Sequence, residues 1–295
     1  MTSWPGVLLN WTFEPSVVAG ALILAVLYWR GRQPLTVVRA GRASPITGWN
    51  AAAFYAGLAV VVVALESPID SLSASLFSFH MVQHLLLIMV AAPLLLLGDP
   101  GVTLLRGTPL AARRAVLGFA ARRIPLHGLG RAFSWLRRPE TVFIVFLADL
   151  YLWHWSWLFN LTLQNASVHL LEHLCFLVTA LLFWSQVIDQ RVLHPRLPYI
   201  MRAVYVLITA FASNVLAMYL VFTPKPLYPV YAHLASRPYG MTALGDQQIA
   251  GAIMWVPVLF LFGGAFAILL YKALSQDERQ TRTLSVGETP YSMPF

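Results

Sequence analysis

Seven long apolar runs punctuate this chain, at about 13–29, 48–66, 73–97, 141–162, 166–188, 200–222 and 249–271. About 20 apolar residues in a helix match the roughly 30 Å hydrocarbon core of a bilayer. Backbone N–H and C=O groups in lipid must be satisfied within the protein, so each run reads as a helix. Barrel strands would be shorter and would alternate apolar with polar residues. With 58% hydrophobic and 11% charged residues, the chain is far short of the quarter or so of charged residues that covers a soluble domain. The expected fold is therefore all-α: a polytopic integral membrane protein with seven transmembrane helices in one domain over 1–275. Pro93 and Pro257 fall inside the third and seventh runs, where kinks are expected.

The formal charge is +8. A basic protein suggests nucleic acid, but these residues sit in short connections between apolar runs, as membrane orientation requires. No nucleic-acid partner is expected; membrane lipid is. Eighteen of the twenty Lys and Arg fall in alternate connections, and only Lys225 and Arg237 in the others. The eighteen mark the cytoplasm, so the N-terminus is expected outside and the C-terminus inside. The opening stretch MTSWPGVLLNWTFEP has no basic residue and does not read as a cleaved signal peptide. LAARRAVLGFAARRI, at 110–124, reads either as a helix lying on the inner leaflet or as an ordinary solvated loop. The tail over 276–295 is polar and expected to be disordered.

Histidine carries the chemistry. His127 and His194 are in cytoplasmic loops and His233 is in an outer one; the other five lie inside runs. FSFHMVQHLLL supplies His80 and His84, YLWHWSW supplies His154, and VHLLEHLCF supplies His169 and His173. The four-residue spacing puts each pair on one helix face. With about 1.5 Å of rise per residue, His80, His154 and His173 all come about 10 Å below the outer surface, with His84 a turn deeper and His169 a turn shallower. Imidazole in lipid is costly unless it faces the bundle interior and finds partners. A metal or haem site, a structural polar network and a proton path each account for such a layer.

Met81, Met218 and Met254 lie in the outer halves of their runs. Thioethers with imidazoles suit Cu(I) better than hard cations, although methionine is also a common filler of apolar cores. Glu172 follows His169 by three residues and is a candidate to orient it. Asp70 and Asp246, at outer ends, either guide a cation inward or cap helices. Asp149, near mid-span, is a functional candidate without an evident partner. Cys175 is the lone cysteine, so no paired-thiol site forms within one chain. No lysine stands in mid-membrane for a retinal Schiff base, and no Walker loop, nucleophile elbow or HExxH occurs.

SPIDSLSASLFSFHMVQHLLLIMVAAPLLLLGDP (67–100), LWHWSWLFNLTLQNASVHLLEHLCFLVTALLFW (152–184) and GDQQIAGAIMW (245–255) together resemble the multi-spanning CtaG-type cytochrome c oxidase assembly factors. The resemblance covers roughly a quarter of the chain and agrees with a seven-span layout over the rest. AAP replaces a double proline at 91–93, and LFWSQ replaces a paired-tryptophan stretch at 182–186; neither touches a histidine. The resemblance implies a non-enzymatic factor in a bacterial cell membrane. Its partner would be the subunits of a haem-copper cytochrome c oxidase, and its role to help copper reach that enzyme. His80, His84, His154, His169 and His173 match the family's histidine positions. Copper held as Cu(I) by this cluster is the first expectation, and a membrane cytochrome with bis-histidine haem the alternative.

Overall fold

The computed structural model describes residues 10–33, 46–123, 126–191, 193–234 and 238–287, and among these every regular element is helical. Five helices are long and apolar enough to cross a membrane, six if one bent pair counts as a single span.

Helix α1 (Pro15–Arg32) ends on Arg30 and Arg32. These shorten its apolar stretch, and it is not among the five. Helix α2 (Gly48–Glu66) opens with a reciprocal cap. Thr47 Oγ1 accepts from Asn50 N and Asn50 Oδ1 accepts from Thr47 N, each at 3.2 Å, so two otherwise orphaned donors are satisfied.

The third apolar run is helical from Phe77 on and carries an internal irregularity. Pro68–Ser73 (α3) folds separately behind the Ser67 cap, and α4 spans Phe77–Leu97. Within α4, Leu86–Ala91 widen into a π-helical turn directly ahead of Pro93. Proline removes a donor and crowds the carbonyl one turn back; the wider turn accommodates both.

Helix α5 (Pro100–Gly107) returns against α1. A Cβ at Gly107 would lie 1.7 Å from the Leu27 carbonyl oxygen, and one at Gly31 would lie 1.8 Å from that of Thr103. Only glycine allows the two backbones to touch in this way. Helices α6 (Leu110–Arg123) and α7 (Leu126–Leu136) occupy the long basic connection. Residues 110–123 and 126–136 are thus helical; the side chains that would make 110–124 amphipathic lie largely outside the described residues.

The fourth run is broken. Helix α8 (Pro139–Trp153) and helix α9 (Ser156–Gln164) meet at a 69° bend, where Trp155 is extended and His154 closes α8. Helix α10 (Ala166–Trp184) is capped by Asn165, whose Oδ1 accepts from Ser167 N at 2.9 Å and Val168 N at 3.3 Å. Helix α11 (Tyr199–Phe222) is followed by the short α12 (Pro229–Ala232) and by α13 (Ala243–Gly287). Helix α13 carries on well beyond 275, where the sequence reading ends the domain. The segment SQDERQTR is polar but made largely of good helix formers; residues 288–295 lie outside the described residues.

Helices α11 and α13 lie side by side. Beyond the far end of α10, Asp189 ties them together. It accepts from Arg202 Nη1 at 2.6 Å, Lys272 Nζ at 2.8 Å and Tyr199 Oη at 2.9 Å. Burial pushes the Asp189 carboxyl up, but the hydrogen bonds from Lys272, Arg202 and Tyr199 outweigh it and hold the group at about 2. The central core gathers Phe146, Phe176, Phe183, Trp184 and Phe262. A second cluster, Phe77, Phe159, Tyr228 and Tyr231, closes the end where α4 and α10 begin.

Candidate metal centre

Helices α4 and α10 start at the same end of the bundle and present their polar faces to each other. Four residues apart, His80 and His84 share a face of α4; His169, Glu172 and His173 share one of α10. Ligand atoms of His80, His84, Glu172 and His173 all lie within 4.8 Å of one another. All four side chains are buried, His80 and Glu172 completely. His80 Nε2 is 3.3 Å from Glu172 Oε2, and His84 Nε2 is 3.6 Å from Glu172 Oε1.

These approaches are not hydrogen bonds. Both ring nitrogens of His80 and His84, Nε2 of His169 and His173, and both Glu172 oxygens have no hydrogen-bond partner. An unsatisfied buried polar atom costs about 1–3 kcal/mol. Eight in one place form an unstable apolar core but a serviceable cage for a cation, whose bonds would satisfy the nitrogen lone pairs and carboxylate oxygens together. Three imidazoles and a carboxylate suit a borderline divalent ion or copper, so the residues fit a metal.

Aromatic rings wall the cluster. Phe159 lies 4.9 Å from the His80 ring and Phe176 lies 4.4 Å from the His84 ring, centroid to centroid. His169 sits at the rim, half-buried, with its ring 4.3 Å from that of His173 and 5.0 Å from that of His80. The first turn of α4 is held from α13: Asp246, 1% exposed, accepts from Phe77 N at 2.6 Å and Ser78 N at 3.1 Å. Of the two roles open to Asp246 in the sequence, it takes the cap, because two buried amides need its carboxylate. Asp70 braces the same helix by accepting from Gln83 Nε2 at 2.8 Å. That amide also donates to Ala64 O at 3.0 Å.

Several sequence expectations need correction. Of the three histidines expected to form the core, His80 and His173 belong to the convergent group and His154 does not. Because α4 starts at Phe77 and α8 stops at Trp153, counting from the ends of the apolar runs misplaces His154. Its ring neighbours are His84, at 6.1 Å, Phe176, at 6.2 Å, and Phe159, at 6.4 Å. His84, also expected in the set, and Glu172, expected to orient His169, are the other two members of the convergent group. The adjacency of Glu172 to His173, three residues after His169, was the available signal. Met218 is 42% exposed, pointing away from the bundle rather than to the histidines. Met81 is buried with Sδ 3.4 Å from His154 Nε2, and Met254 lines the same cavity as Met81, His84 and His154. Asp149 has partners in Trp153 Nε1 at 2.9 Å and Thr179 Oγ1 at 2.7 Å. Gln247, beside Asp246, is a buried side chain that accepts from Leu227 N at 2.7 Å and donates to Leu220 O at 3.2 Å, binding the loop after α11 to α13.

The chain is similar to uncharacterised mycobacterial proteins. It is 26% identical over 293 residues to Mb0105 of Mycobacterium bovis and to MT0111 of Mycobacterium tuberculosis, in each case over 96% of this chain and 41% of the relative. ML1998 of Mycobacterium leprae is 25% identical over 283 residues, 94% of this chain and 41% of the relative. The chain thus spans about two fifths of the length of these relatives. No solved structure matches it. The family model of the cytochrome c oxidase caa3 assembly factors matches residues 25–276. That segment holds every helix of the histidine cluster, and the chain belongs to the cytochrome c oxidase caa3 assembly factor family.

Proposed function

We propose that this protein holds copper, as Cu(I), at the His80–His84–Glu172–His173 cluster and passes it to a haem-copper cytochrome c oxidase during assembly. The observation that carries this reading is the convergence of buried, unpaired nitrogen and carboxylate atoms from α4 and α10. Copper, when bound, is the cargo; the chain's own residues bind and release it. Glu172 supplies a negative charge that offsets the ion. The histidines supply neutral donors, Phe159 and Phe176 exclude water, and half-buried His169 gives access from the rim. Nothing in this role requires catalysis. The crowding supports a bare ion over haem: the His80, His84, His169 and His173 rings approach to 4.3–5.9 Å, closer than a macrocycle between axial ligands permits.

In this reading the protein is a seven-span protein of the bacterial cell membrane, with α8 and α9 together as one span and α1 as the seventh. Its N-terminus is outside and its C-terminus cytoplasmic. The distribution of eighteen basic residues against two supports that orientation, which puts the cluster toward the outer side. The test is metal analysis and an absorption spectrum of the full chain purified in mild detergent. Bound copper without a Soret band is expected. Alanine at His80, His84 or His173 should lower the copper content at equal membrane levels, while alanine at His127 or His194 should not. Normal copper content in well-accumulated variants of all three cluster histidines would overturn the proposal.

A further inference from the structure

Beneath the cluster lies a separate cavity of about 40 Å³. It is lined by His84, His154, Met81, Met89 and Met254, with Ser213 and apolar residues, and so is rich in thioethers where the cluster has none. The deciding detail is the protonation of His154. Its Nδ1 lies 2.7 Å from the Leu150 carbonyl oxygen, which only accepts, so Nδ1 carries the proton. In the neutral ring Nε2 is then a bare lone pair. It lies 3.4 Å from Met81 Sδ, which also has no proton to give. A second proton would place an imidazolium in an apolar, buried setting, at high cost. Two soft donors therefore face each other with no hydrogen between them.

We propose that Met81 and His154, with Met254 and Met89 close by, form a second, softer site selective for Cu(I), separate from the nitrogen–carboxylate cluster and joined to it through His84. Metal–nitrogen and metal–sulfur bonds of about 2.0 and 2.3 Å span the 3.4 Å separation at an angle of about 105°, near tetrahedral. The Nδ1–H bond to a backbone carbonyl is the usual orientation of a metal-bound histidine. The donors come from three elements: Met81 and Met89 from α4 and its π-helical turn, His154 from the bend between α8 and α9, and Met254 from α13. His84 belongs to the upper group and also lines this cavity. Passage between the sites is ligand exchange at His84: one copper–donor bond forms as another breaks, with no electron or proton transferred. Thioethers disfavour hard cations, so the lower site favours the soft ion that the mixed upper cluster also accepts. This inference rests on the copper reading above.

The test is anaerobic titration of the detergent-purified full chain with Cu(I) against a colour-forming Cu(I) chelator, paired with X-ray absorption at the copper edge. The unsubstituted protein should take up two equivalents and show sulfur as well as nitrogen or oxygen neighbours. Met81→Leu combined with Met254→Leu nearly conserves volume; it should lose one equivalent and the sulfur signal. Glu172→Gln combined with His173→Ala should lose the other equivalent and keep the sulfur signal. If the unsubstituted protein at saturation shows nitrogen and oxygen neighbours only, the soft site does not exist and the upper cluster still stands. Sulfur that persists in the double-leucine variant also overturns the inference, and the spectrum of the unsubstituted protein makes the test independent of how any variant folds. Failure to bind copper at all would remove both readings.

Discussion

Glu172 brings the one formal negative charge to the four residues that converge between α4 and α10. Its removal separates a metal centre from a structural polar network. Glu172→Gln keeps the shape and can donate hydrogen bonds to the neighbouring imidazoles, so a network would tighten. A metal site would instead lose a ligand, and losing even a partner of a ligand weakens binding about 10–100-fold. The expected result is at least a tenfold loss of copper affinity with unchanged accumulation, read by chelator competition. At this scale the histidines themselves were legible, because four-residue spacing on apolar helices fixes which share a face. The place of His154 outside the convergent group was not. Depth is counted from the ends of the apolar runs, and the start of α4 at Phe77 and the break at His154 shift those ends. The outward direction of Met218 was likewise invisible, since a thioether suits lipid and core equally.

Two helix contacts carry predictions of their own. Asp246 satisfies two amides in the first turn of α4. Asp246→Ala should cost about 1–3 kcal/mol, as a lost cap that leaves buried donors unpaired, whereas Asp246→Asn should recover part of this. Thermal unfolding in detergent checks both. Where α1 crosses α5, Gly107→Ala would drive a methyl into the Leu27 carbonyl. About 1–3 kcal/mol of overpacking strain is expected, visible as a lowered Tm while Gly101→Ala, with open space around it, has little effect. The existence of the apolar helices could be read from hydrophobic length alone. Their breaks could not, because Pro93 is absorbed by a π-helical turn and the bend at His154–Trp155 has no proline or glycine to announce it.

For the whole molecule, the charge asymmetry is the feature that sets direction. Reporter fusions after Ser75 or Gln164 should read as external, and fusions after Arg138 or Gln280 as cytoplasmic. A cytoplasmic Gln164 would dismantle the span order proposed above. Acid stability offers a second measurement. The Asp189 carboxyl sits at about 2 in the folded protein against about 3.9 in an unfolded chain. A lowered value means its contribution is fully present above roughly pH 4 and fades as pH falls toward 2. Asp189 is more than a third exposed, so solvent screening keeps the effect modest. Asp189→Asn should lower Tm at neutral pH and flatten the acid limb of its pH dependence.

Asp246 also sets an order of events during synthesis. The amides it caps precede it by 169 and 168 residues, so α4 leaves the ribosome long before its own first turn has a partner. Until α13 arrives, two donors at the mouth of the histidine cluster stay exposed or borrow water, and Met254 is missing from the cavity beneath. A nascent chain therefore carries all four convergent residues before the first turn of α4 is capped. On the copper reading proposed above, the cage would be finished only when α13 docks, so cargo loading would follow completion of the chain.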